Sequence, residues 1–169
     1  MPPESLDPAL FSADTRELIA LLHKHRVRYL IVGGGAVIYY GHIRTTGDVD
    51  FFYELADANA QQLFAALEEF WAGHIPNLNG WKELAEPGMI LQFGVPPNRV
   101  DLINDIDGVK FADAWPNRLT LTMPVGGSAV EVNLIGIDDL IKNKEASGRP
   151  QDLKDLKFLR QARSSQKKS

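Results

Sequence analysis

The sequence predicts one α/β domain with a central mixed β-sheet flanked by helices. Short β-branched and aromatic runs recur at 29–32, 48–53, 89–93 and 99–103. Between and after them lie stretches of helical periodicity, notably 14–26, the segment from Asp57, and the two segments after Asp138 and Pro150. Interleaved helices and strands of this kind bury their apolar faces by packing helices on a sheet. The chain has 169 residues and no internal repeat, so one domain is the default, and a chain of this size buries about 70% of its unfolded surface without staples.

Residues 1–12 are proline-containing and read as a flexible arm before a domain spanning 13–163. Asp14-Thr15-Arg16-Glu17 has the D-x-x-E form of a capping box, and Leu18, Leu21 and Leu22 follow at helical spacing. Tyr29 to Val32 is the first strand, Ala36 to Tyr40 a short helix ended at Gly41, and Asp48 to Tyr53 the second strand. Asp57 caps a helix with Leu63, Leu67, Phe70 and Trp71 on one face. The stretch 73–87 is rich in Gly, Pro and Asn and reads as a loop.

Met89 to Phe93 and Arg99 to Ile103 are strands either side of the Pro96-Pro97-Asn98 turn. A helical turn falls around 109–114. Two more strands, 118–123 and 129–134, flank Val125-Gly126-Gly127. Asp138 caps a helix ended by Gly148, and Arg149-Pro150 opens the last helix. Residues 164–169 read as a disordered basic tail.

Composition excludes several classes. There is no cysteine, hence neither disulfide framework nor thiolate metal site, which fits a reducing compartment. The start lacks the pattern of a signal peptide, and the apolar run 29–40 is too short to span a membrane. The expected location is the cytoplasm. The net charge of −4 divides unevenly, with −10 over residues 1–141 and +6 over 142–169. The basic end is either a solvated helix or an anchor for triphosphate or RNA backbone.

The densest chemistry lies in Val32-Gly33-Gly34-Gly35 through Thr46-Gly47-Asp48-Val49-Asp50. Glycines leaving a strand let backbone N–H groups approach an anion, although a tight turn needs the same residues. Asp48 and Asp50, at i and i+2 on a strand, share a face. Such a pair suits Mg²⁺, which takes hard oxygen ligands, and it also occurs at solvated strand edges. Asp101 sits among the core-type residues Val100, Leu102 and Ile103. It is either an exposed edge acid paired with Arg99 or a third carboxylate brought beside the first two. Three carboxylates can hold two metals in a phosphoryl displacement. His23, His25, His42 and His74 have no metal-ligand spacing with these acids, and the three tryptophans read as packing residues.

The pattern V-G-G-x-A-V-x-x-x-G-x-x-R-x-T-x-D-x-D over Val32–Asp50 resembles the nucleotidyltransferase superfamily of the DNA polymerase β type. More narrowly, it resembles the small bacterial branch that includes AbiEii- and MenT-type toxins and the minimal nucleotidyltransferases. The resemblance continues in Arg99-Val100-Asp101-Leu102 and in the block from Asp139 to Leu156. It implies a single nucleotidyltransferase-fold domain that moves NMP from an NTP such as ATP to a hydroxyl of RNA, tRNA or a protein side chain. A toxin–antitoxin or abortive-infection role is implied with it.

By position, Gly33 and Gly34 would hold phosphates through backbone N–H groups. Asp48, Asp50 and Asp101 would form a two-metal Mg²⁺ site, with Mn²⁺ as an alternative ion, and Asp101 would help deprotonate the acceptor. Lys144 would meet triphosphate charge, while Arg149, Asp152 and Asp155 either join it or form a helix-junction network behind it. Arg44 and Thr46 match the motif as substrate contacts or loop braces. A homodimer or partner chain could complete so small a domain. The alternative is a nucleotide- or partner-binding module with the fold but no turnover.

Overall fold

A computed structural model describes residues 5–42 and 47–167. Six strands form one mixed sheet in the order β3-β4-β2-β1-β6-β5, with helices packed on it. The strands are β1 Tyr29–Val32, β2 Asp48–Tyr53, β3 Ile90–Phe93, β4 Arg99–Ile103, β5 Leu119–Val125 and β6 Ser128–Leu134. The helices are α1 Ala13–Lys24, α2 Gly33–Tyr39, α3 Asp57–Phe70, α4 Trp81–Leu84, α5 Phe111–Ala114, α6 Ile137–Ser147 and α7 Pro150–Lys167.

β1 is the centre of the sheet, and all four of its residues are buried. That explains its unbroken apolar run, since a strand covered on both faces has no polar side to alternate with. It pairs antiparallel with β2, with Val32 opposite Asp50, and parallel with β6. β2 pairs on its other side with β4 in parallel register. The inner half of β2, Phe51 to Tyr53, is buried, whereas Asp48 to Asp50 lies half-buried at the sheet's end. The β5–β6 hairpin turns at Gly126 and Gly127, with φ of +55° and +81°. A two-residue hairpin turn of that hand favours glycine at both positions.

Four helix starts differ from the sequence expectation; α2 begins at Gly33 rather than Ala36, so the glycines lie in its first turn. Ser12, not Asp14, caps α1: its Oγ accepts from the Thr15 N–H at 3.1 Å, and Asp14 lies inside the first turn near the positive end of the helix dipole. Asp57 and Asp138 likewise occupy first turns, behind Ala56 and Gly136 as caps without side-chain bonds. The helix α4 interrupts the expected 73–87 loop. It is too short to display a period and is anchored by buried Leu84.

The arm is held along residues 5–11. Leu6 is buried and its N–H donates to the Thr122 carbonyl at 2.7 Å, while Arg16 Nη1 donates to the carbonyls of Pro8 and Phe11. At the other end α7 continues through Lys167, past Ser164. Among the described residues, no helix is long and apolar enough to cross a membrane.

Candidate active site

The parallel register of β2 and β4 sets Asp50 opposite Asp101 and Asp48 opposite Arg99. Strand alternation turns Asp48 and Asp50 to the same face, and carboxylate oxygens of all three acids lie within 4.8 Å of one another. β4 is an inner strand, flanked by β3 and β2, and Asp101 is buried, so the solvated-edge reading of that acid does not hold. Its pairing with Arg99 does. Arg99 Nε donates to Asp101 Oδ1 at 3.0 Å, and Nη2 donates to Asp48 Oδ2 at 2.6 Å. One guanidinium thus bridges two of the three carboxylates.

Asp50 is the acid that Arg99 does not bond. Burial, then the charges of Asp48 and Asp101 and a hydrogen bond with Asp101, push its carboxyl up to about 7, with Arg99 opposing weakly. Burial disfavours the ionised carboxylate, and the neighbouring negative charges disfavour it further. Hard oxygens at this spacing fit a divalent cation, and the raised Asp50 fits one too, because an ion would relieve the same repulsion. Asp48, Asp50 and Asp101 are the residues that would hold it.

Gly33 closes the other side of the cluster. Its φ is +64°, and a Cβ there would collide with the Asp50 carboxylate. Both the backbone conformation and the close approach therefore require glycine. Gly34 follows, buried in the first turn of α2.

A cleft of about 370 Å³ opens from Gly33 and Asp50 toward Ile103, Asn143, Lys144 and Arg149. Lys144 and Arg149 come from the junction of α6 and α7. Lys144 is buried, with Nζ 2.9 Å from Asp152 and 3.1 Å from Asp155. Arg149 Nε donates to Asp152 at 2.8 Å while most of its side chain stays exposed. Burial pushes the Asp152 carboxyl up, but hydrogen bonds from Arg149 and Lys144 outweigh it and hold the group below its usual range. Asp155 also bonds His42 and Gln151, each at 3.0 Å, and His42 stacks on Phe158. The helix-junction network is thus present, and it backs onto the cleft. Arg44 and Thr46 lie outside the described residues.

The sequence reading passed over Asp105 and Asp107, which line the same cleft just beyond β4. Asp107 receives the Asn143 amide on its carbonyl and the Ser147 hydroxyl on its carboxylate, tying this loop to α6. The available signal was a second D-x-D, Asp105-Ile106-Asp107, which reads as a connection when considered alone.

A search of curated proteins finds no match to this chain. A family model described as a nucleotidyltransferase of unknown function, DUF6036, matches residues 9–160. The matched span contains the glycine exit, all three acids and the α6–α7 junction. With nearly the whole domain matched, and the acid cluster lying inside the match, the chain belongs to this nucleotidyltransferase family.

Proposed function

We propose that the protein is a Mg²⁺-dependent nucleotidyltransferase that moves NMP from an NTP to a hydroxyl acceptor and releases pyrophosphate. The observation that carries this reading is the convergence of Asp48, Asp50 and Asp101 beside the collision-tight Gly33 exit. Bound Mg²⁺, or Mn²⁺ in its place, supplies charge neutralisation for the triphosphate and the attacking oxygen.

The chain's own residues do the rest. Asp50 gives up its proton, and Arg99 releases Asp48 and Asp101. Backbone N–H groups of Gly33 and Gly34 hold phosphate oxygens, and exposed Arg149 adds positive charge at the cleft. Asp101 accepts the proton of the acceptor hydroxyl. The acceptor oxygen then bonds to the α-phosphorus as the bond to pyrophosphate breaks. Lys144 acts from behind, neutralising Asp152 and Asp155 so that the cleft wall stays ordered.

The acceptor classes that fit this chemistry are RNA, including tRNA, and a serine or tyrosine side chain of a protein. Membership of the toxin-like branch, in a toxin–antitoxin or abortive-infection setting, belongs to the same proposal, as does a homodimer or partner chain. One observation favours a second reading, a nucleotide- or partner-binding module without turnover: Arg99 already neutralises two of the three acids.

The test is label transfer from the four α-labelled NTPs with Mg²⁺, using total RNA and cell lysate as acceptors. Wild type should label one acceptor class and release pyrophosphate. Asp50→Ala should lose transfer by at least about a thousandfold while keeping its circular dichroism spectrum. Activity retained in that variant would sink the mechanism, and intact NTP binding with no label from wild type would favour the binding module.

A further inference from the structure

A cavity of about 490 Å³ lies away from the acid cluster. β1 connects the two: Val32 lines the cleft at one end of the strand, and Tyr29 lines this cavity at the other. Its charge is opposite to that of the surrounding body. Four of the nine lysines and arginines in residues 1–141 line it, namely Lys24, Arg26, Arg28 and Arg118, against one acid, Glu131.

Some of that charge is already matched. Lys24 pairs with Glu69 at 2.9 Å and Arg28 with Glu54 at 2.8 Å. His23 accepts the Glu131 N–H on Nδ1 at 3.4 Å. Arg118 is different. Its guanidinium lies 3.7 Å from the centre of the Trp115 ring, and that of Arg28 lies 4.7 Å from the same ring. Arg118 Nη1 donates only to the Trp115 carbonyl, and its Nε is buried with no acceptor. Arg26 makes no ion pair among the described residues, and it is held at the cavity by a left-handed backbone turn, φ +56°. Two guanidiniums gathered on one indole repel each other, and a buried unpaired N–H costs free energy. Both penalties disappear when an anion with several acceptor oxygens enters.

We infer that this cavity is a second, non-catalytic anion site that takes a phosphate group on the Arg28 and Arg118 guanidiniums, with Arg26 at its mouth. Phosphate matches the guanidinium fork and carries enough charge for several cations. The group could arrive free, on a nucleotide, or on the end of an RNA chain. The site stands independently of the transfer reaction proposed above.

The experiment follows arginine Nε–Hε signals by NMR in the full chain while inorganic phosphate is added. The Arg118 and Arg28 signals should shift together and saturate. Arg118→Met and Arg28→Met, which keep the apolar stem over Trp115, should each weaken phosphate binding at least about tenfold. Arg28 is half-exposed, so its variant keeps the test valid if the Arg118 variant does not fold. Shifts confined to Arg149, or no saturable shift, would overturn the site. A 5′-phosphorylated oligoribonucleotide that displaces phosphate, where its dephosphorylated twin does not, would support the site and assign an RNA end as the source. A mononucleotide displacing it instead would support the site with a free ligand.

Discussion

Two substitutions at the acid cluster separate charge from shape. Arg99 spans Asp48 and Asp101, so it competes for any cation that those acids would hold. Arg99→Met should therefore tighten Mn²⁺ binding by about tenfold, measured by calorimetry. Weaker binding would mean that Arg99 organises the ligands rather than blocking them. Asp50 titrates near 7, well above the usual carboxylate range. Between about pH 4 and about pH 7 the folded protein carries a proton that the unfolded chain has lost, so the stability this proton gives fades as pH rises through that range. Metal binding at pH 6 should release about one proton, read from the buffer dependence of the binding heat, and Asp50→Asn should abolish the release. Spacing put Asp48 and Asp50 on one face but left Asp101 open between an edge acid and a third member of the cluster, and the family resemblance joined the three. The Arg99 bridge was half legible: its link to Asp101 follows from adjacency, whereas its link to Asp48 depends on the β2–β4 register, which no local pattern encodes.

At the scale of elements, the α6–α7 junction is a buried charge network disguised as an ordinary helix boundary. Gly148 takes the left-handed conformation, with φ +60°, and ends α6, as the sequence predicts. The turn brings Lys144 back over Asp152 and Asp155 of the next helix. Lys144→Met would remove the buried ammonium that Asp152 and Asp155 share, leaving Asp152 to the exposed Arg149 and Asp155 to its remaining hydrogen bonds, and loss of one member of a buried pair costs about 3–5 kcal/mol. A thermal melt should register that loss without any nucleotide present. An unchanged melting temperature with a raised KM for NTP would instead assign Lys144 directly to triphosphate. Most strands and long helices were legible because their periods extend over enough residues. The caps were not, because Ser12 competes with Asp14 and only the backbone conformation decides between them. The short α4 carries too few residues for a period to be seen.

Over the whole molecule, the acid cluster and the basic cavity lie at opposite ends of β1. Asp48, Asp50 and Asp101 gather beyond Val32, with Arg99 and Arg149 beside them, whereas Arg26, Arg28 and Arg118 gather around Tyr29, and both sets come from segments distant in sequence. That separation explains why the basic cavity was invisible in the sequence. Arg28, Trp115 and Arg118 are joined only by folding, and Trp115 alone reads as a packing residue. The basic C-terminal region was legible as composition, and its helix α7 accounts for part of it, with Arg160 and Arg163 paired to Glu145 and Asp138 of α6.

The arm before α1 has a consequence for self-association. β5 is the outermost strand on its side of the sheet, and Ser5 and Leu6 lie along it, bonded at Thr122. An uncovered outer strand offers its backbone to any neighbouring chain. By lying there, the arm works as a short selvedge, a finished border over the fabric of the sheet at Thr122, where the outer backbone is already taken.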